Sequence, residues 1–152
     1  MQEPSAYKLV FDVAREGYRY WWFPAAGLIG VAGGAIDFFA ARHAAKRPRR
    51  ALLIITASLL WIAGTFASTY SEYRSLRSAL LHGNYQEVEG PVEDFVPGDG
   101  RRPESFQVAG HRYSYSWSVV DAGYNGGAGL EPGVQVRIAD VHGHIARLEA
   151  KR

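Results

Sequence analysis

Cysteine is absent from the chain and methionine occurs once. Without thiols there is no disulfide framework, no thiolate-held metal and no thiol redox chemistry. Charge is scarce as well, at 21% of residues against the roughly 25% usual for soluble domains. Signature motifs of catalysis are missing. There is no Gly-x-Ser-x-Gly elbow, no P-loop and no His-Glu-x-x-His pair. Neighbouring acids such as Glu93 and Asp94 would point to opposite faces of a strand. His142 and His144 are two apart, the spacing of a same-face metal pair on a strand, but Gly143 between them reads as a turn and no third ligand follows. The expectation is a non-enzymatic chain with no catalytic residue, no metal and no cofactor.

What the chain does have is 152 residues, 17 glycines, 4 tryptophans, 9 tyrosines and a net charge of +2. That length holds one ordinary domain, or a membrane anchor with a very small one. The charge is unevenly spread: residues 1–84 balance at +5 and residues 85–152 at −3. A nucleic-acid partner needs a basic face on the folded module, and the mildly acidic second half argues against one.

Two apolar runs dominate the first half. Trp21–Ala41 has 21 residues with Asp37 as its one charge, and Ala51–Tyr70 has 20 with none. A helix needs about 20 apolar residues to cross the hydrocarbon core of a bilayer. Two buried globular helices are the competing interpretation, but so short a chain leaves little to cover helices that are apolar all round. Twenty mixed residues precede the first run, which is also longer than a usual signal-peptide core. Both spans are therefore expected to be retained. Asp37 lies four residues from the basic end of its span, within reach of headgroups or Arg42.

The connection between the runs carries Arg42, Lys46, Arg47, Arg49 and Arg50 and no acid. Short Lys/Arg-rich loops stay on the cytoplasmic side. The hairpin is thus predicted to turn inside the cell, with both termini extracytoplasmic. Tyr18, Tyr20, Trp21 and Trp22 at one end, and Tyr70 and Tyr73 at the other, would meet at the outer interface that amphipathic rings prefer. Ala26, Gly30 and Gly34 recur every four residues and form a face on which helix backbones can approach closely. That face serves either to pack the hairpin on itself or to pair with a second copy or another membrane protein.

After Tyr70 no helix breaker occurs until Gly83, so the second span is predicted to continue as a stalk of roughly 18 Å. From Tyr85 the period changes to that of strands. Gln86–Val96 is interrupted at Gly90-Pro91. Ser105–Val108 and His111–Val120 flank a turn at Ala109-Gly110, and Val134–Ala139 and Ile145–Glu149 flank one near Gly143. Within the second arm Tyr113, Tyr115 and Trp117 alternate with polar residues. With Phe106 they would make either a stacking platform for bases or sugars or, the preferred reading, a core face. Five short strands of this kind predict a small OB or SH3-like barrel, since an open sheet of that size leaves its edges exposed. Tyr7, Leu9, Phe11 and Val13 also alternate, so residues 1–20 form either an added strand or an interfacial helix. Two loops stand out: residues 97–103, with Arg101 and Arg102 exposed, and residues 121–133, with five glycines. Long loops in small domains are either functional or disordered, which makes Tyr124 and Asn125 the candidate binding residues.

The runs YQEVEGPVEDFVP, ESFQVAGHRYSYS and GVQVRIADVHGHIARLE resemble the β module of a group of bacterial membrane proteins classed under domains of unknown function. The shared motifs fall at Val88–Phe95, Ser105–Ser116 and Gly133–Ile138. The resemblance covers roughly the last 65 residues, implies the same anchor-plus-module architecture, and brings no catalytic residue.

The resulting expectation is a membrane helical hairpin joined to a small all-β domain. Residues 1–20 are an N-terminal strand or interfacial segment, 21–41 and 51–70 the spans, 42–50 a cytoplasmic loop, 71–84 the stalk and 85–152 an extracytoplasmic five-stranded barrel. Its partners would be the lipid bilayer and a protein or envelope component. Alternatively the chain is an accessory subunit of a larger membrane complex, acting through its helices.

Overall fold

A computed structural model describes residues 7–99, 102–116, 118–126 and 130–151. Trp117 and Arg101, both singled out above, lie outside the described residues. The chain divides into two compact units, Arg19–Ser71 and the remainder on either side of it.

In the first unit a helical turn at Arg19–Trp21 runs into α2 (Trp22–Ala25) and α3 (Gly27–His43), and α4 begins at Arg49 and continues to Leu81. Arg19–His43 and Arg49–Leu81 are both long and apolar enough to cross a membrane. Their large side chains are left uncovered, with Ile29 78%, Leu53 72% and Ile36 70% exposed. That pattern is the reverse of a soluble core helix. Within the hairpin the close contacts fall on one face. A Cβ added to Gly34 would lie 2.6 Å from Ile55 Cγ1 and 3.2 Å from the Ala51 carbonyl, and one on Gly30 would collide with Ser58 Oγ. Phe23 packs on Trp61 with ring centres 5.5 Å apart. Asp37 pairs with Arg50 at 3.9 Å rather than with Arg42.

The second unit is built around β1 (Tyr7–Asp12), the short α1 (Val13–Glu16), the last turns of α4, and β2 (Gln86–Pro91), β3 (Glu93–Val96), β4 (Glu104–Val108), β5 (His111–Tyr115), β6 (Gln135–Val141) and β7 (His144–Lys151). Asp12 ends β1 and caps α1, its carboxylate accepting from the Ala14 and Arg15 amides. β1 is the strand alternative of the two N-terminal readings, and it pairs antiparallel with β7 from Tyr7↔Lys151 to Asp12↔Arg147. The seven strands form two sheets, ordered β1-β7-β6-β2 and β3-β4-β5. The expected closed five-stranded barrel is therefore corrected to two open sheets around one core.

The reason lies in the chain between Gln86 and Val96. It pairs with β6 as far as Pro91, bends at the buried Val92, and enters the other sheet as β3. The stalk expectation is corrected as well. α4 does run through residues 71–81, but Leu76 and Leu80 are buried in the same cluster as Val88, Phe106, Ile138 and Leu148. Burying such a leucine stabilises by about 1.5–3 kcal/mol. The helix end thus supplies apolar surface that a barrel would have found by closing on itself.

Both tight hairpins have two-residue turns with positive φ at each position, Ala109 (48°) with Gly110 (81°) and His142 (54°) with Gly143 (87°). This is the geometry that matches the twist of the flanking strands, and glycine takes it without strain.

A polar strip crosses the four-stranded sheet. Arg137 on β6 lies 3.0 Å from Glu89 on β2 and 3.9 Å from Glu149 on β7. Tyr7 on β1 donates to Glu89 at 2.7 Å, and its ring lies 4.6 Å from the Arg137 guanidinium. The Tyr7 hydrogen bond, then the one from Arg137, hold the Glu89 carboxyl below its ordinary 4.5. A carboxylate with a lowered folded-state pKa lends stability above its unfolded pKa and loses it as pH falls through the folded value. Denaturation midpoints of the detergent-solubilised chain, followed from neutral pH to about pH 3, are expected to fall less steeply for Glu89→Gln than for the wild type. Identical slopes would show that the strip contributes nothing.

Candidate functional site

Three polar side chains from distant parts of the sequence converge in the β unit. Glu72 lies on α4, Asp121 in the segment after β5, and His144 at the first position of β7. His144 Nδ1 is 3.1 Å from Asp121 Oδ2 and 3.9 Å from Glu72 Oε1. One ligand atom from each group lies within 4.8 Å of the other two. All three are partly accessible, with side-chain exposures of 34% for Glu72, 31% for Asp121 and 41% for His144.

Local structure sets each group in place. The Gly123 amide donates to Asp121 Oδ1 at 2.7 Å, an Asx-type turn that leaves Oδ2 for His144. The Tyr124 amide donates to the Ile145 carbonyl at 2.9 Å, tying the loop to β7 beside His144. Burial, and secondarily the facing Asp121 carboxylate, push the Glu72 carboxyl up, while His144 and a hydrogen bond from the Ala122 backbone pull it back. Two acids and one imidazole therefore share a space in which positive charge is favoured.

Asp121 also lines a pocket of about 250 Å³ with Pro103, Ser114, Tyr115, Ser116, Val119 and Asn125. A wider, more open cleft of about 480 Å³ lies at the hairpin turns, lined by residues that include Tyr85, His111, Arg112 and His142. The Tyr115 phenol that lines the smaller pocket is not activated. Tyr113 donates to Asp140 at 2.9 Å and Tyr115 donates to Glu104. Burial, followed by those hydrogen bonds, drives both hydroxyls far above their ordinary pKa of 10, so they stay protonated.

The residues picked from sequence fare unevenly. Tyr124, expected on an exposed binding loop, is 5% exposed and stacks edge-on against Phe11 and Tyr115. It is a core residue, because Gly126 at φ 93° lets the backbone pass close against the Tyr115 ring. Asn125 donates to the Val119 carbonyl at 2.8 Å and lines the smaller pocket. Tyr113, Tyr115 and Phe106 are buried together, which is the core alternative rather than a stacking platform. His142 sits in the turn and does not join His144 in a pair. Gly30 and Gly34 face Ser58 and Ile55 of the second helix. Arg42, Arg49 and Arg50 lie at the facing ends of α3 and α4, with Lys46 and Arg47 between them.

Sequence reasoning missed Glu72 and Asp121 as partners of His144. The available signal was an acid in an otherwise uncharged stretch at the end of the second apolar run, and an Asp-x-Gly turn opening a glycine-rich loop. No protein-family model, curated protein or solved structure matches the chain.

Proposed function

We propose that the chain is a two-span membrane protein that presents its β unit outside the cytoplasm as a binding module for a protein or envelope component. The bacterial membrane proteins its β motifs resemble also carry one or two spans ahead of such a module. The observation that carries the reading is the pairing of β1 with β7. One strand precedes the first long apolar helix and the other follows the second, yet both belong to one sheet. A chain that leaves a folded module and returns to it must cross any bilayer an even number of times, and two helices of spanning length meet that requirement. The cations Arg42, Lys46, Arg47, Arg49 and Arg50 in and beside the short connection favour a cytoplasmic turn. The sheets and both termini then fall on the outer side. The open cleft at Tyr85, His111, Arg112 and His142 is the concave surface such a module offers a partner.

The chain's lack of cysteine makes the test clean. Glu131→Cys and Lys46→Cys each introduce a single thiol at an exposed position. A membrane-impermeant maleimide applied to intact cells is expected to label Glu131→Cys, and to label Lys46→Cys only after permeabilisation. The opposite pattern would overturn the orientation. Release of the protein from membranes by alkaline carbonate would overturn the anchoring.

The second reading, an accessory subunit acting through its helices, draws on the exposed apolar surface of α3 and α4. It needs a face other than Gly30 and Gly34, which are packed inside the hairpin; Gly33 and Gly64 have open space where a Cβ would go.

A further inference from the structure

We propose that Glu72, Asp121 and His144 form a binding site for a first-row divalent cation of the Zn2+ class. Four ligand atoms placed tetrahedrally at zinc–ligand distances of roughly 2.1 Å are about 3.4 Å apart. His144 Nδ1 is 3.1 Å from Asp121 Oδ2 and 3.9 Å from Glu72 Oε1, which brackets that spacing. The three ligand atoms lie within 4.8 Å of one another, so the set is already gathered around one point. One imidazole nitrogen with two carboxylate oxygens suits Zn2+ or its neighbours better than Mg2+ or Ca2+, which take oxygen ligands almost alone. Partial exposure of all three side chains leaves room for water to complete the coordination.

The surroundings are those of a supported ligand set. Asp121 is held by the Gly123 amide through its other oxygen. Glu72 is held by the Ala122 backbone. The loop that carries both amides is fastened to Ile145 next to His144. Supporting bonds of this kind fix ligand orientation. Burial, then the facing Asp121 carboxylate, raise the cost of ionising Glu72, and a divalent ion held between the two carboxylates offsets it. Bound there, the cation would join α4, the 121–126 segment and β7, adding to the hydrogen bonds that already tie the segment to Glu72 and to Ile145. It would also place a Lewis acid at the rim of the pocket that Asp121 shares with Ser114, Ser116 and Asn125.

Zn2+ alone is the probe. The full chain, purified in detergent without a histidine tag and stripped with a chelator, is expected to gain thermal stability on Zn2+ addition, saturating at one ion per chain. A ligand that binds only the folded state must raise the midpoint in this way. Glu72→Gln keeps the shape of its side chain and His144→Asn keeps a polar group where Nδ1 lies; they are expected to hold the metal-free midpoint near wild type while weakening Zn2+ binding at least roughly ten-fold, the lower bound for losing even a supporting group. His142→Gln and His111→Gln are expected to leave it unchanged. The proposal is overturned by a wild-type chain that Zn2+ does not stabilise, by equal stabilisation of the Glu72 and His144 variants, or by loss of the effect in the His142 variant. Should a ligand variant fail to fold, X-ray absorption of the Zn2+-loaded wild type decides the matter. One imidazole in a shell of oxygens supports the site, and several imidazoles sink it.

Discussion

Phe106→Ala is expected to destabilise the β unit by about 3–5 kcal/mol, the usual cost of emptying a buried phenylalanine site. Phe106 is fully buried on the middle strand of the β3-β4-β5 sheet. Its ring lies 5.5 Å from that of Tyr113 and 5.9 Å from that of Tyr115. Tyr115 in turn meets Tyr124 at 4.9 Å, and Tyr124 meets Phe11 on β1 at 5.8 Å. This run of rings joins the three-stranded sheet to the far edge of the four-stranded one. A cavity at Phe106 therefore loosens the contact between the sheets and not just one strand. Whole domains are stable by only about 5–15 kcal/mol, so the loss is a large share of the total. The measurement is thermal unfolding of the purified chain followed by near-ultraviolet circular dichroism, with a drop of at least about 10 °C expected. Val119→Ala, at a position 55% exposed, is the control and should change stability by no more than about 0.5 kcal/mol. Equal melting of the two variants would remove Phe106 from the core.

How much of this was legible in the sequence depended on the range of the interaction. Spanning-length apolar runs and alternating strands are local patterns, and α3, α4, β4, β5, β6 and β7 follow from them. Ala109-Gly110 and the turn at Gly143 were legible for the same reason, since a two-residue hairpin advertises its own register. Pairings across the chain carry no such mark. β1 and β7 both alternate, but nothing in either segment names the other. Leu76 and Leu80 share one face of the helix that continues past the second apolar run, and such a face shows that it will be covered, not by what. The barrel expectation failed at that same point: it counted strands and left out the helix that completes the core. Tyr124 misled in a different way. Glycine-rich surroundings suggest a solvent loop, whereas here Gly126 provides the close approach that lets a neighbouring ring pack inward. The Glu72–Asp121–His144 cluster was the least legible feature, because its members are separated by 49 and 23 positions and each alone is an ordinary polar residue.

The two helices carry a sharper test, since adjacent glycines on α3 meet different surroundings. Gly34→Leu is expected to disrupt the hairpin, and Gly33→Leu is not. At Gly34 even a Cβ would sit 2.6 Å from Ile55 Cγ1 and 3.2 Å from the Ala51 carbonyl oxygen. The side chain could be pushed aside, but the backbone oxygen cannot move without the helix. A leucine there has to force the two backbones apart, and overpacking of this kind costs about 1–3 kcal/mol. In a bilayer the loss is not offset by burial elsewhere, because lipid is as apolar as leucine and helix association rests on close packing. At Gly33 nothing lies within 4 Å of the added Cβ, and leucine there also raises helix propensity by up to about 1 kcal/mol. Unfolding of the detergent-solubilised variants, followed by loss of the Phe23–Trp61 ring contact in tryptophan fluorescence, separates the two outcomes. Under the anchoring role proposed here, Gly33→Leu should also leave the protein's cellular activity intact. If Gly33→Leu instead abolishes activity while the purified hairpin stays folded, the exposed glycine face meets another membrane helix, and the accessory-subunit reading replaces the binding module.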